Sequence, residues 1–173
     1  MSAVSGRILI VDDDERQRVA LASMLAESAF DTQVASDGLD ALERLAAFNA
    51  DVIVADLIMP RMDGFELIRH LQAQGDLTPT IALTGFGSME KALSVIHDLH
   101  AFWFLEKPVQ PRPFKILLER AIQFKRSLRK TVELQRDLSL RGVLGALVGT
   151  SPAMQQILWL ICQVAPTSAP VLI

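Results

Sequence analysis

The order of apolar and polar residues predicts alternating strands and helices from residue 6 to about residue 110. Short apolar runs without alternating polarity are typical of strands buried on both faces of a parallel sheet. Between these runs, apolar residues recur at the spacings of helices that pack on a sheet. Five such units with short connections predict an α/β fold with a doubly wound parallel sheet and right-handed crossovers. The predicted strands are residues 6–11, 30–35, 52–55, 80–83 and 102–105.

Several helix ends are marked by residues that terminate helices well. Asp14 and Gln17 form an N-cap and capping-box pair for the first helix. Asp63 is placed to cap the third helix, and Gly75 is placed to end it. Ser88 is placed to cap a fourth helix, which we expect to contain the apolar residues Met89, Leu93, Val95 and Ile96.

A long helix without an internal helix breaker is predicted from about Phe114 to Gly142. Eight of its positions are separated by alternating intervals of three and four residues over about three and a half heptads. Six of these eight residues are apolar, as in a coiled coil. We expect the first half of this helix to pack on the sheet and the remainder to form a coiled-coil homodimer through residues 114–138. The eight positions are Phe114, Leu117, Ala121, Phe124, Leu128, Thr131, Gln135 and Leu138.

The C-terminal residues predict the beginning of another domain. We expect a small flexible junction over residues 142–150, followed by a helix that Ser151 caps and Pro152 begins. This helix and the short apolar run 171–173 are too small to bury themselves, so we expect a truncated domain. The predicted organisation is a globular domain over residues 1–125, a helical or coiled-coil linker over 126–142, and the truncated start of a second domain over 143–173.

Composition adds expectations about the compartment. No apolar run reaches the ~18 residues that a membrane span needs, and the first seven residues lack the apolar core of a secretory signal. The single cysteine, Cys162, fits a reducing compartment, where we expect it to act as a small buried hydrophobe. We therefore expect a cytoplasmic protein without a membrane partner.

Charge is distributed unevenly along the chain. Residues 112–141 contain nine Lys or Arg and three acids, whereas the rest has eight basic and seventeen acidic residues. The acidic remainder should repel nucleic acid. A solvated helix face explains the basic segment more simply than a nucleic-acid partner does.

Five polar side chains fall at predicted strand ends. Asp12, Asp13 and Asp56 follow strands one and three, and they converge if those strands are neighbours. Clustered carboxylates repel one another unless a cation neutralises them, and Mg2+ suits one or two carboxylates together with phosphate oxygens. Thr84 and Lys107 end strands four and five, where a hydroxyl and an ammonium group can reach a phosphoryl group on Asp56.

Four motifs resemble the receiver domain of two-component response regulators over about residues 6–125. The resemblance implies a flavodoxin-like sheet with strand order 2-1-3-4-5 and a histidine kinase as phosphoryl donor. His100 and Trp103 depart from the family pattern, which commonly has Gly and Asp around the start of the fifth strand. The motifs are Ile8-Leu-Ile-Val-Asp-Asp-Asp-Glu15, Asp56-Leu-Ile-Met-Pro-Arg-Met-Asp-Gly64, Leu83-Thr-Gly85 and Phe104-Leu-Glu-Lys-Pro108.

The same resemblance implies specific roles for the matched residues. It implies Asp56 as phosphoacceptor, and Asp12, Asp13, Asp56 and the Ile58 carbonyl as the Mg2+ site. It also implies Thr84 as the switch hydroxyl, Lys107 as the phosphate-contacting lysine and Phe104 as the aromatic switch. The bond between Lys107 and Pro108 is often cis in such domains.

The tail resembles the first residues of the AAA+ ATPase domain of sigma-54-dependent activators of the nitrogen-regulator class. The similarity lies in residues 147–154, 164–166 and 171–173. No Gly-x-x-x-x-Gly-Lys-Ser/Thr motif occurs, so this chain cannot bind ATP by that route. Contact with sigma-54 RNA polymerase would require the missing downstream domain, and no helix-turn-helix is present to bind DNA directly.

The favoured interpretation is a phosphorylation switch with at most self-catalysed phosphoryl transfer and hydrolysis, rather than an enzyme. One alternative is a haloacid-dehalogenase-like phosphatase with Asp12 as nucleophile and Asp14 as acid, although Arg16 stands where that family has Thr or Val. The other alternative is a phosphate-independent dimerisation module.

Overall fold

The computed structural model describes residues 6–28, 30–85 and 101–140, together with part of the C-terminal segment. In that segment it describes residues 143–144 and 147–148 and positions 151, 154, 156 and 157. The predicted helix after Ser88, including His100, lies outside the described residues. The same holds for Cys162 and for the predicted strand over 171–173.

Five strands form one parallel sheet in the order β2-β1-β3-β4-β5, which confirms the predicted fold and strand order. Three strands extend one residue beyond their predicted ends, because the third ends at Asp56, the fourth at Thr84 and the fifth at Glu106. Asp56 pairs with Leu83 and Thr84 pairs with Glu106 in the sheet register. The functional candidates Asp56 and Thr84 are therefore the last residues of their strands. The strands are β1 (Gly6–Val11), β2 (Phe30–Ala35), β3 (Val52–Asp56), β4 (Thr80–Thr84) and β5 (Trp103–Glu106).

The helices described within residues 6–85 and 101–140 are α1 (Glu15–Ala26), α2 (Gly38–Phe48), α3 (Gly64–Ala73) and the long helix (Pro111–Leu140). Three of them begin after a capping aspartate, because a carboxylate satisfies backbone N–H groups that have no partner in the first turn. Asp14 and Asp63 cap α1 and α3 as predicted, and Asp37 caps α2.

The core lies on both faces of the sheet. On one face, Ile8 and Val54 pack with residues of α1 and the long helix; on the other, Leu9 and Ile53 pack with residues of α2 and α3. These strand residues are fully buried. Double-sided burial explains why β1 and β3 are nearly continuous apolar runs.

The first half of the long helix packs on the sheet as predicted, and Phe114 and Ala121 of the predicted stripe are fully buried, but the buried face is wider than that stripe. Leu118 and Ile122 are fully buried, whereas Phe124 of the predicted stripe is 46% exposed. A helix on a sheet buries a wide face with a period near 3.6 residues, rather than the narrow seam of a coiled coil. Lys125 fixes this part of the helix, donating to the Ala50 carbonyl at 2.5 Å and to the Thr78 hydroxyl at 2.7 Å.

The chain divides into two compact units, Met1–Lys125 and Arg126–Ile173. In the second unit, β6 (Val143–Leu144) pairs antiparallel with β7 (Leu147–Val148), where the sequence predicts only a flexible junction. The Ser151 hydroxyl accepts a hydrogen bond from the Met154 amide at 3.3 Å, which is the contact expected of an N-cap. Among the described residues, no helix is long and apolar enough to span a membrane.

Candidate functional site

Three carboxylates meet at the C-terminal edge of the sheet because β1 and β3 are neighbours. Asp12, Asp13 and Asp56 each offer a carboxylate oxygen, and these oxygens lie within 4.8 Å of one another. Asp12 is fully buried, Asp13 is exposed and Asp56 is intermediate. The group is thus open to solvent on one side and buried on the other.

Lys107 brings a positive charge into this cluster from the residue after β5. Its Nζ donates to Asp12 Oδ2 at 2.7 Å and also to Asp56 Oδ2. The Lys107 backbone amide donates to the Thr84 carbonyl at 2.8 Å, which ties the end of β5 to the end of β4. The peptide bond from Lys107 to Pro108 is cis.

Two opposing effects set the pKa of Lys107. Burial of its ammonium group favours the neutral form and lowers the pKa, but the hydrogen bonds and negative charges of Asp12 and Asp56 outweigh burial. The pKa of Lys107 is therefore raised, and the side chain is charged at neutral pH. The stabilisation gained from this raised pKa is fully present below the unfolded-state value of about 10.4 and is lost as pH rises through the folded value.

Local hydrogen bonds fix the backbone around the carboxylates. Asp12 Oδ1 accepts from the Asp14 amide at 2.9 Å, and Asp56 Oδ1 accepts from the Ile58 amide at 3.0 Å. Both are contacts from a side chain to the backbone two residues on, which aspartate forms readily in turns. Arg18, which the sequence did not single out, donates from Nη1 to the Asp12 carbonyl at 2.5 Å.

The two candidate switch residues lie close to the strand ends but have different surroundings. Thr84 is buried, and its hydroxyl donates to the Gly85 carbonyl at 3.0 Å. Phe104 packs against the small buried cluster that includes Ile68 and Ala82. The Ile58 side chain is 68% exposed. The structure therefore joins Asp12, Asp13, Asp56 and Lys107 in one cluster, while the Thr84 hydroxyl is bonded to its own loop.

Asp14 has an environment that suits a helix cap better than a catalytic acid. The Gln17 side chain, followed by the Arg16 amide, donates to the carboxylate, and these hydrogen bonds hold its pKa below the ordinary range. A general acid requires a pKa near the working pH instead. The contact pattern therefore favours the capping role.

Replacing Asp14 with Ala will lower Tm by a few degrees, because the cap of α1 is lost. The Asp14 carboxylate has a lowered pKa in the folded protein. Its contribution to stability is therefore present above the unfolded-state pKa of about 3.9, and it is lost as pH falls through the folded-state pKa. Thermal denaturation at pH 7 and pH 3 will show a difference between wild type and Asp14→Ala that is larger at pH 7. A difference that persists unchanged at pH 3 would contradict the capping explanation, and Asp14→Asn serves as the cap-retaining control.

Comparisons with known proteins place this site in a family. Residues 8–119 match the model of the response regulator receiver domain. Regulatory protein AtoC of Escherichia coli is 31% identical over all 173 residues, and DNA-binding transcriptional regulator NtrC of the same organism is 31% identical over 168 residues. This chain covers 37% and 35% of those two proteins, so it spans about a third of their length.

Solved structures agree with this placement. NtrX from Brucella abortus in complex with ADP is 30% identical with a TM-score of 0.71, and the match covers 95% of this chain and 35% of that one. The receiver domain of the Francisella response regulator 1452 is 30% identical with a TM-score of 0.64, covering 68% of this chain and 97% of that one. The relatives confirm the resemblance to the N-terminal part of a nitrogen-regulator-class protein, and the chain belongs to the response regulator receiver domain family.

Proposed function

We propose that this protein is a phosphorylation switch in which Asp56 accepts a phosphoryl group from a sensor histidine kinase. One observation carries the proposal: Asp56 shares the ammonium group of Lys107 with buried Asp12 and lies in one cluster with Asp13. Asp56 combines partial exposure with a neighbouring fixed cation, as an acceptor of a phosphoryl group requires. The transfer breaks the phosphorus–nitrogen bond of a phosphohistidine and forms a phosphorus–oxygen bond to the Asp56 carboxylate.

The residues present fit a Mg2+ ion, which prefers oxygen ligands and often combines one or two carboxylates with phosphate oxygens. Asp12, Asp13, Asp56 and the Ile58 carbonyl would hold it. When bound, Mg2+ supplies charge that offsets both the clustered carboxylates and the incoming phosphoryl oxygens. Lys107 already offsets one negative charge, and it is positioned to contact a phosphoryl group on Asp56.

The readout we propose runs from Asp56 to Thr84 and Phe104. A phosphoryl group adds acceptor oxygens beside the end of β4, where they compete with the Gly85 carbonyl for the Thr84 hydroxyl. Phe104 lies on the neighbouring strand β5 and responds as the aromatic switch. If the domain switches between an inactive and an active conformation, changing their ratio from 1:99 to 99:1 requires phosphorylation to favour the active one by about 5.5 kcal/mol.

The wider organisation is also part of the proposal. Residues 1–125 form the receiver domain, residues 126–142 form the linker, and residues 143–173 begin an AAA+ domain that contacts sigma-54 RNA polymerase once complete. A homodimer within residues 114–138, formed by the part of the helix beyond its sheet-packed first half, would link phosphorylation to that downstream domain. The protein would act in the cytoplasm, where a kinase and a promoter-bound polymerase are both accessible.

The test of this function is incubation with acetyl phosphate in the presence of Mg2+ or of a chelator. We expect an acyl phosphate that forms only with Mg2+ and that peptide mapping places on Asp56. Steady hydrolysis of a phosphomonoester that survives Asp56→Asn but not Asp12→Asn would support the phosphatase alternative instead. Sedimentation that is unchanged by beryllofluoride would support a phosphate-independent dimerisation module.

Replacing Lys107 with Gln will lower the free energy of unfolding in metal-free buffer by about 2 kcal/mol. Breaking a fully buried ion pair costs about 3–5 kcal/mol, but Lys107 is 18% exposed and an amide still donates one hydrogen bond. Saturating Mg2+ will narrow the difference in unfolding free energy, because the ion offsets the same carboxylate charges and binds more tightly when Lys107 does not compete with it. A ligand at 100 times its Kd adds about 2.7 kcal/mol of stability. Urea denaturation with and without Mg2+ measures both effects.

The exposed residue Lys115 on the long helix supplies the matched control for this substitution. We expect Lys115→Gln to match wild type within about 0.5 kcal/mol under both conditions. If Lys107→Gln were as stable as wild type without metal, Lys107 would not be neutralising the carboxylate cluster.

A further inference from the structure

The loop that follows the proposed acceptor is tied to the start of α2. This β3–α3 loop, residues 57–63, directly follows Asp56. The Met62 carbonyl accepts a hydrogen bond from the Gly38 amide at 3.0 Å. The Arg61 guanidinium forms an ion pair with Asp37 and lies 3.4 Å from the Ser36 hydroxyl oxygen. A backbone contact and a side-chain pair thus connect two segments that are distant in the sequence.

Arg61 occupies a backbone conformation that requires support from its surroundings. Its φ is 67°, in the left-handed region that arginine rarely adopts. Such conformations persist where neighbouring contacts hold them, and they concentrate at functional sites. The ion pair between Arg61 and Asp37 is a contact of this kind, because it anchors the side chain of the strained residue itself.

Asp37 can serve as the anchor because its two carboxylate oxygens have separate partners. Oδ1 accepts from the Leu39 and Asp40 amides at 2.9 and 3.1 Å, which caps α2. Oδ2 pairs with Arg61 and accepts from the Ser36 hydroxyl at 3.3 Å. The Asp37 side chain is only 2% exposed, so Arg61 offsets a carboxylate that is otherwise costly to bury.

We propose that Arg61 is a positioning residue for the magnesium site, acting through its ion pair with Asp37. The β3–α3 loop is closed by a hydrogen bond from the Gly64 amide to the Leu57 carbonyl at 3.2 Å, so a shift at Arg61 is passed to Ile58. Ile58 carries the proposed carbonyl ligand, and its amide donates to Asp56 Oδ1. This inference rests on the proposed function, because it assigns Arg61 to the same Mg2+ site.

The test compares Mg2+ affinity among variants of the full chain by calorimetric titration with MgCl2. Arg61→Gln removes the charge, and Asp37→Asn removes the charge while keeping a good helix cap. We expect each variant to raise the Kd for Mg2+ about tenfold. Mutating residues that support metal ligands typically weakens metal binding by about 10- to 100-fold, and this expectation is at the low end of that range. The double variant should be no worse than either single one, because both remove the same pair.

Two further variants distinguish a positioning role of Arg61 at the Mg2+ site from a nonspecific effect of removing an ion pair. Arg61→Lys keeps a cation in reach of Asp37 and should restore the Kd to within about threefold of wild type. Arg44→Gln removes a different arginine–aspartate pair, with Asp40 on α2, and should leave the Kd unchanged. Saturating Mg2+ should restore the rate of labelling by acetyl phosphate in Arg61→Gln, because only affinity is altered.

Hydrogen–deuterium exchange of residues 57–63 in metal-free protein is the second measurement. We expect faster exchange in Arg61→Gln than in wild type or Arg44→Gln. If wild type binds Mg2+ and Arg61→Gln has the same Kd, the positioning role is overturned while the proposed function stands. If wild type binds no Mg2+, the proposed metal site fails, and exchange alone decides whether the Arg61–Asp37 pair holds the loop.

Discussion

Asp56→Asn protein will take up no phosphoryl group above background from acetyl phosphate and Mg2+, under conditions in which wild type is labelled. The amide of Asn cannot attack phosphorus as a carboxylate oxygen does, so the bond to the protein cannot form. The neighbouring Asp12 does not replace it, because Asp12 is fully buried and bonded to Lys107. Intact-protein mass spectrometry after a fixed incubation measures the phosphorylated fraction directly.

The matched control is Asp63→Asn, which changes the aspartate at the far end of the β3–α3 loop that follows Asp56. Asp63 caps α3 through the Glu66 amide at 2.8 Å, and Asn caps a helix about equally well. We expect labelling of this variant at the wild-type level. Undiminished labelling of Asp56→Asn would move the acceptor to another residue and refute the site.

Asp56→Asn should also remain folded, so that loss of labelling is not a consequence of unfolding. The substitution removes one of three clustered negative charges, which relieves repulsion in metal-free protein. It retains an oxygen that can accept from the Ile58 amide. Circular dichroism and Tm in the absence of metal provide this check, and we expect a Tm at least equal to that of wild type.

The features that sequence patterns predicted well are those fixed by short-range periodicity and by topology. Apolar runs located β1, β3 and β4, because the central strands of a parallel sheet covered on both faces are buried. The edge strands β2 and β5 are less buried. Once β1 and β3 are neighbours, Asp12 and Asp56 must approach one another, since each follows or ends its strand at the same edge. The carboxylate cluster was therefore accessible from sequence, and the position of Lys107 after β5 followed from the same reasoning.

The features that sequence missed depend on contacts between distant residues. Arg61 and Asp37 are far apart along the chain, and neither has a local pattern that predicts an ion pair. The contact of Arg18 with the Asp12 carbonyl joins residues that are close in sequence, and it was missed because spacing does not determine the side-chain conformation of Arg18. The burial of Leu118 and Ile122 was missed for a different reason, because a heptad pattern and a broad sheet-packing face overlap over one or two turns.

Gly64→Ala will be strongly destabilising, with an expected loss of about 3 kcal/mol or more in the free energy of unfolding and roughly 6–12 °C in Tm. A Cβ on Gly64 would overlap the Asp56 carbonyl oxygen and would lie 2.9 Å from the Leu57 Cα. These are backbone atoms of Asp56 itself and of the first residue of the β3–α3 loop, so relief of the overlap must move the segment that positions Asp56. We therefore expect the rate of labelling by acetyl phosphate to fall together with stability.

Gly38→Ala is the matched control, because Gly38 and Gly64 each begin a helix directly after a capping aspartate. The three atoms nearest to a Cβ on Gly38 all belong to the Met62 side chain: Cγ, which it would overlap, Sδ at 2.8 Å and Cβ at 2.9 Å. Because Cγ and Cβ lie near the Met62 backbone, side-chain rotation relieves only part of the overlap, and we expect a loss of about 1–2 kcal/mol, smaller than that of Gly64→Ala. Urea denaturation of both variants separates the two cases: equal losses would show that helix-start conformation, and not the close approach of Gly64 to the Asp56 backbone, governs these positions. A large loss of unfolding free energy confined to Gly64→Ala would show that the close approach to the Asp56 backbone requires a residue without a side chain. The glycine of the Met-Asp-Gly motif would then be linked directly to the placement of Asp56.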